Sequence, residues 1–482
     1  MDSHALDQLS EARRAMDRRA SDSGSDRQGH GRAPGVTSVA EHRDHVLALV
    51  APLPAEQVPL DELATAGPAR RVLAADVRSL LDVPRFDASA MDGYALHGAD
   101  ITDATPGSPV TLRVVGDIAA APSAAPAGSP TEHASEHGGA PTAPTPATPD
   151  PATRSTPSTP STGEAVRIMT GAPVPDGCDV VVPVERTSTR RFVPGAPLDE
   201  RVEVYGPSRP NIRRRAEDVA VGDRVAAAGA LTTPRLVSAA ASAGHSTLGV
   251  HRVPRVAVLS TGSELVPVGT SPGPGQIPDS NSLLLAACVR DAGGVPVRVG
   301  AVPDTAEALR AVLDDVAPRV DLIVTSGGVS AGAFDVVKEV LSGSRGEAHG
   351  AREVRLVAVG MQPGKPQASA RWRGTPMLGV PGNPVSAYVS FRAFVRPAVR
   401  RLAGHPEPVE PLVERVAAEG WRSPAGRQQF LPVRFVGADG VAPVGPGAHH
   451  VSALTRADAI AVVPPEVEAV GPGDTVRVMV IA

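Results

Sequence analysis

The chain has few cysteines, few aromatic residues and no long apolar run. Two cysteines, Cys178 and Cys288, cannot build a disulfide framework or a cysteine-rich zinc site. Cys288 falls in an amphipathic helical pattern, and burial in a core is the expectation for both thiols. Aromatics make up 2% of the residues, so the cores must be built from Val, Leu, Ala and Ile. The longest apolar stretches fall well short of a membrane span, and the N-terminal residues lack the apolar core of a signal peptide. The expectation is a soluble, cytoplasmic protein with no membrane partner. A net charge of -5 gives no reason to expect nucleic acid, so any anion must be bound by local sites. What the chain does have is length, 482 residues, enough for several domains.

Composition changes along the chain mark its divisions. Residues 1–37 are polar, charged and rich in Gly and Ser, which predicts a disordered tail. Val39–Val50 has a helical pattern, and Val58–Leu63 followed by Val72–Ala74 reads as a short helix and a strand. Ala119–Gly163 contains no Val, Ile, Leu, Met or aromatic residue. Such a segment buries too little surface to offset its ordering entropy, and it reads as a disordered insertion. Its flanks, Val110–Val115 and Glu164–Met169, both read as strands, which favours a long loop within one domain over an interdomain linker. Short strands continue to Val204, a β-rich region. From Arg255 to Arg401, strands alternate with helices: Val256–Leu259, Ser280–Asp291, Val295–Val299, Thr305–Val316, Leu322–Thr325, Val354–Val359, Met377–Val380 and Val385–Leu402. Asp279 and Asp304 are candidate N-caps, and Pro397 should kink the last helix or sit in a first turn. The alternation predicts a doubly wound parallel sheet with ligands at the C-terminal strand ends. Residues 406–482 return to short strands, as expected of a small β-barrel.

Chemistry concentrates in the loops after the strands of this α/β region. Thr325–Lys338 reads TSGGVSAGAFDVVK. A glycine-rich turn between strand and helix directs backbone N–H groups and the positive helix end to one point, an anion site. Ser260–Glu264 (STGSE), Gln362–Pro366 (QPGKP) and Pro381–Pro384 (PGNP) occupy corresponding places. One such loop is weak evidence, but four on one sheet edge point to a shared pocket for an oxyanionic ligand. Lys365, between Gly364 and Pro366, is either an aimed ammonium or a surface lysine. Asp335 and Glu264 suit Mg²⁺ shared with substrate phosphate, or are solvated loop acids. Asp304 alone reads better as a helix cap. His449–His450 lacks companions for a metal site. Outside this region, Phe86–Ala95 (FDASAMDGYA), Arg167–Pro173 (RIMTGAP) and Asn211–Asp218 (NIRRRAED) are dense in Asp, Ser, Gly and Arg. They read as functional loops or as Asx-type turns and a solvated helix end.

FDASAMDGYA, RIMTGAPVPDGCDVVVPVE, NIRRRAED, STGSELV, GQIPDSNS, TSGGVSAGAFDVVK, PGKP and GVPGNPVSA, in this order, resemble the MoeA-type molybdopterin molybdenumtransferases, whose relatives include the E domain of gephyrin. The resemblance runs from about Val39 to Ala482 apart from the Ala/Pro/Thr insertion. It implies an α/β multidomain fold with a composite, partly helical dimerisation domain at 38–108 and 208–252. A β-rich domain would occupy 109–207 with the insertion 119–163. A MogA-like α/β domain would span 253–404, and a C-terminal β-barrel 405–482. The assembly implied is a homodimer whose active site lies between the α/β domain of one subunit and the β-rich region of the other. Other cofactor-biosynthesis proteins are possible partners under this resemblance. The implied reaction is insertion of molybdate into adenylylated molybdopterin with release of AMP, assisted by Mg²⁺. A MogA-like adenylyltransferase or nucleotide hydrolase is the alternative use of the same α/β site.

By motif position, the resemblance implies catalytic roles for Asp92, Thr170, Asp218, Asp335 and Lys365, and metal contacts for Glu264, Asp304 and Asp335. It places the molybdopterin nucleotide or molybdate against Ser260, Thr261, Gly262, Ser326, Gly327, Gly328 and Ser330. Pro381, Gly382, Asn383, Pro384, Ser386 and, on weaker alignment, Arg427 and Ser452 complete the set. Three departures stand out. Gln362 replaces a common lysine, which implies a lower molybdate affinity or compensation by an arginine such as Arg371. Ser263 replaces a common acid, and Asp335 has no acidic neighbour before it.

Overall fold

The computed structural model describes residues 35–65, 71–120, 159–192, 198–329, 335–343, 350–445 and 451–481. The chain divides into two compact units, one of Met1–Glu56, Gly67–Val72 and His251–Ala482, the other of Gln57–Ala66 and Leu73–Val250. The protein is multidomain, and each unit is built around its own cores.

In the first unit, a seven-stranded sheet has the order Val36–Thr37, Ala351–Val359, Pro366–Trp372, Thr375–Val380, Leu322–Ser326, Arg255–Thr261, Val295–Val302. The last four strands in this order are mutually parallel. Leu322–Ser326 is buried on both faces, as expected for a parallel strand covered on each side by helices. One face packs on Asn281–Asp291 and the C-terminal helix, the other on Ala306–Val316 and Val336–Gly343. The sheet is mixed rather than wholly parallel, because Pro366–Trp372 runs antiparallel to both its neighbours. Its Gln367 and Ser369 are buried polar residues, so it lacks the apolar run that marks the other strands.

Val36–Thr37 pair with Ala358–Val359, so the segment expected to be a disordered tail is ordered at its end. The remainder of that tail, 1–34, lies outside the described residues. Ser38 then starts the helix Val39–Ala48 with a capping box: its hydroxyl accepts from Glu41 N, and Glu41 accepts from Ser38 N at 2.8 Å. This helix buries Val39 and Val46 in the α/β core. The C-terminal helix runs as Pro384–Ser390, a π-helical turn over Phe391–Val395, and Arg396–Leu402. Pro397 follows directly on the π-helical turn, at the start of the last piece.

The C-terminal region closes into a five-stranded barrel. Gln428–Val436 pairs with Gly440–Pro443 on one side and Ala459–Val463 on the other, and Val413–Ala417 and Thr475–Val480 complete the ring. Phe430, Ile460 and Val462 of the barrel belong to the same apolar cluster as the α/β strands. Met361–Gln362 adds in parallel to Gln428–Gln429, joining the QPGKP turn to the barrel rim.

In the second unit, five strands are ordered Val180–Pro183, Gly93–Leu96, Glu164–Ile168, Val110–Ile118, Arg201–Val204. Gly93–Leu96, expected to be loop, is an interior strand whose Tyr94, Ala95 and Leu96 are fully buried. Val110–Ile118 and Glu164–Ile168, the flanks of the insertion, are adjacent and parallel. Residues 121–158 of the insertion lie outside the described residues. Its last residues are ordered: Pro160 O bonds His97 Nε2, and Gly163 N donates to Asp100. A further core joins Val58, Leu63, Leu73, Ala240 and Val250.

Candidate functional site

Three adjacent parallel strands, Arg255–Thr261, Leu322–Ser326 and Thr375–Val380, end at one edge of the α/β sheet. The loops that leave them meet there, and a pocket of about 350 Å³ opens between them. Its lining includes Ser260, Thr261, Gly262, Ser326, Gly327, Gly328, Gly382 and Pro384, with the carboxylates Glu264, Asp304 and Asp335. Apart from Asp304, these residues come from three of the sequence motifs, and the QPGKP turn does not reach the pocket.

The close approach of the loops explains their composition. Gly327 has φ +92°, and a Cβ there would lie 2.7 Å from Thr261 O. Gly328 has φ +65°, and its Cβ would meet Val337 and Thr261 Oγ1 at 2.9 and 3.0 Å. Only glycine satisfies both conditions. Gly327 N donates to Val380 O, and Ser326 Oγ donates to Pro381 O at 3.4 Å. Asn383 caps the following helix, its side chain accepting from Val385 N and Ser386 N. Ser386 is buried behind that cap.

The polar atoms of this pocket are incompletely paired. Ser260 Oγ, Thr261 Oγ1 and Asn281 Oδ1 are buried without a hydrogen-bond partner. Unpaired buried polar groups are expensive, and a ligand that bonds them relieves the cost. Asn281 was not singled out from sequence. Its Nδ2 donates to Ser326 Oγ and to Gly382 O, each at 2.7 Å, tying two of the loops together. The only sequence signal was its position in GQIPDSNS, where a polar residue before a helix is unremarkable.

Asp304 is not the cap of its helix. Thr305 performs that task, accepting from Ala308 N. Asp304 instead accepts from Ser263 N at 3.0 Å, while its own N–H donates to Ser263 Oγ at 3.3 Å. Ser263 thus fixes the STGSE loop to Asp304. Asp279, the other expected cap, lies one residue before the N-cap Ser280, yet its carboxylate accepts from Ser282 N and Oγ. Among the described residues, no three His, Cys, Asp or Glu side chains gather closely enough to hold a metal by themselves. Glu264, Asp304 and Asp335 therefore line one pocket without forming an all-protein cage. Ser330 and the pair His449–His450 fall outside the described residues.

Lys365 is exposed and does not line this pocket; its carbonyl accepts from Val359 N. Arg427, also exposed, precedes Gln428, the partner of Met361 at the barrel rim. Ser452 lies on the short helix Val451–Leu454, which packs against Pro384–Ser390. Arg371 cannot replace the lysine lost at Gln362. It sits at the far end of the Pro366–Trp372 strand, where it bonds Glu353, Gly374 O and Leu49 O.

In the second unit, the other three motifs converge. Asp92 Oδ1 accepts from both Thr170 N and Thr170 Oγ1 at 2.8 Å. Asp87 accepts from Arg214 Nη1 and Arg215 N, and Asp82 from Arg215 Nε and Val221 N. Ser89 pairs with Ile212, and Ala90 N donates to Asn211 O. Asp92, Thr170 and Asp218 are all exposed. The arginines of NIRRRAED are thus partly consumed in holding FDASAMDGYA, rather than free for a phosphate. Asp82, Asp87 and Asn211 are the structural residues that sequence reasoning passed over here. Burial pushes the Cys178 thiol up to about 11 and the Cys288 thiol to about 12, consistent with inert core cysteines.

Three family models match in succession: "MoeA N-terminal region (domain I and II)" over residues 37–244, "Probable molybdopterin binding domain" over 257–401, and "MoeA C-terminal region (domain IV)" over 414–481. Molybdopterin molybdenumtransferase 2 of Mycobacterium tuberculosis (strain ATCC 25618 / H37Rv) is 39% identical over 411 residues, 84% of this chain and 91% of that protein. Molybdopterin molybdenumtransferase of Nostoc sp. (strain PCC 7120 / SAG 25.82 / UTEX 2576) is 32% identical over 351 residues, 72% of this chain and 70% of that protein. Among solved structures, a molybdopterin biosynthesis MoeA protein from Pyrococcus horikosii superposes with a TM-score of 0.71 at 26% identity, covering 92% of this chain and 99% of that one.

Proposed function

From a chain that belongs to the MoeA family of molybdopterin molybdenumtransferases, we propose a transferase of molybdenum cofactor biosynthesis that inserts molybdenum into molybdopterin. The finer reading is that molybdate enters adenylylated molybdopterin and AMP leaves. The observation that carries it is the α/β pocket, where a glycine cradle, three unpaired buried polar atoms and three carboxylates line one space.

The chain's own groups divide the work. The Gly328 N–H and the hydroxyls of Ser260 and Thr261 hold phosphate oxygens, while Gly327 N–H and the Ser326 hydroxyl hold the loops together. Glu264, Asp304 and Asp335 would hold Mg²⁺. They line one pocket without gathering into a cage, which fits a cation that takes one or two of them together with phosphate oxygens. Bound there, Mg²⁺ would neutralise phosphate charge and polarise the P–O bond. Lys365, Ser386, Arg427 and Ser452 are assigned to the molybdate oxyanion, with Asn383, Pro381 and Pro384 shaping the turn. Asp92, oriented by Thr170, and Asp218 are assigned catalytic roles on the second unit. A cytoplasmic homodimer completes the reading; no helix among the described residues is long and apolar enough to cross a membrane.

The test is release of AMP from adenylylated molybdopterin by the purified protein with Mg²⁺, with and without molybdate. Release that requires molybdate supports the reading. Release indifferent to molybdate overturns it, and sedimentation as a single chain overturns the dimer.

A further inference from the structure

We infer that Asn281 is a specificity-determining contact that reads a ribose hydroxyl of the nucleotide, an inference that rests on the nucleotide-binding role proposed above for this pocket. Asn281 opens the helix Asn281–Asp291 and lines the pocket. Its amide has one orientation only. Gly382 O accepts and cannot donate, so the atom 2.7 Å from it must be the NH₂ group. The second N–H goes to Ser326 Oγ, which passes its own hydrogen to Pro381 O. Both donors are spent on the two loops, and neither can turn toward a ligand.

What remains is Oδ1, a pure acceptor, buried and unpartnered. Every other unpaired group noted in the pocket, the hydroxyls of Ser260 and Thr261, can donate to an anion. Oδ1 cannot, and a phosphate at neutral pH offers it no hydrogen. A ligand that presents a donor close to the phosphate would satisfy it. Asn281 bonds directly to Ser326 and Gly382, the residues beside the cradle, so its remaining atom lies within one amide group of them. The hydroxyls of a sugar esterified to that phosphate are at this range, while a base amine is at the far end of the nucleotide. Unsatisfied polar atoms of a site discriminate strongly against a ligand that lacks the matching group.

The experiment is calorimetric titration of the full chain with AMP, 2′-deoxy-AMP and 3′-deoxy-AMP. One of the two deoxynucleotides should bind about tenfold more weakly than AMP, a difference of about 1.4 kcal/mol. Asn281→Ala should bring that ratio close to one. Asn281→Asp, which keeps an acceptor oxygen but loses both donated bonds, should weaken AMP overall while preserving the ratio. Equal binding of all three ligands by the unaltered protein would overturn the role of Asn281 and leave the nucleotide site standing. A ratio that survives in Asn281→Ala would do the same. Failure of the unaltered protein to bind AMP at all would overturn both.

Discussion

Gly327→Ala puts the glycine cradle under direct test. The residue has φ +92°, and the added Cβ would lie 2.7 Å from Thr261 O and 3.1 Å from Thr261 Oγ1. A left-handed backbone costs a non-glycine residue roughly 1–2 kcal/mol. Overpacking against a backbone carbonyl that ends a central strand adds about 1–3 kcal/mol. The sum, about 2–5 kcal/mol, corresponds to a Tm lower by roughly 5–15 °C for a domain of this size. Gly382→Ala is the internal control. Its Cβ would meet Gly327 Cα at 3.4 Å and Gly327 N at 3.9 Å, ordinary contacts, and its φ is not left-handed. Thermal unfolding followed by circular dichroism should therefore separate the two variants, with Gly382→Ala within about 2 °C of the parent. Both should impair AMP binding, because each methyl intrudes on the phosphate cradle. A Gly327→Ala protein with the parent's Tm and affinity would refute the packing argument.

Thr170→Val removes the hydroxyl that bonds Asp92 but keeps the N–H donor, so turnover should fall by about tenfold and recover in Thr170→Ser, read as kcat. Asp335→Asn should abolish turnover while AMP still binds in a calorimeter, since cation charge compensation is lost and the anion cradle remains. His42 is buried against Phe394 in an edge-on contact, and burial with His45 and Arg355 nearby lowers its pKa to about 4 from 6.5. The unfolded chain takes up this proton first, so stability present above pH 6.5 is lost as pH falls toward 4, by roughly 3 kcal/mol. His42→Leu should flatten that acid limb in urea unfolding, and an unchanged pH slope would contradict the assignment.

Much of this architecture was legible because apolar strands and glycine-rich turns carry strong local signals. Leu322–Ser326 is an unbroken buried run, and the loop after it announces itself by its glycines. The strand Pro366–Trp372 was missed because Gln367 and Ser369 are polar yet buried. Gly93–Leu96 was read as loop because AMDGYA looks turn-like; tertiary burial of Tyr94 overrides that preference. Asp304 was misread as a cap because any Asp before a helix has that pattern, and Thr305 competes for the task one residue later. Arg371 is near Gln362 in the sequence, which makes it a candidate substitute cation. A strand of seven residues then carried it to the opposite edge of the sheet. Asn281 escaped notice because its meaning lies in two partners, Ser326 and Gly382, distant in the chain.

The central claim is that one enzyme couples loss of the adenylyl group in the α/β pocket to capture of molybdenum. A single-turnover reaction of the purified protein with adenylylated molybdopterin, Mg²⁺ and molybdate, sampled for AMP and for protein-bound molybdenum together, tests it most directly. The account predicts that the two appear at the same rate and in equal amounts, and that omitting molybdate suppresses both. AMP formed at full rate without molybdenum capture would contradict it.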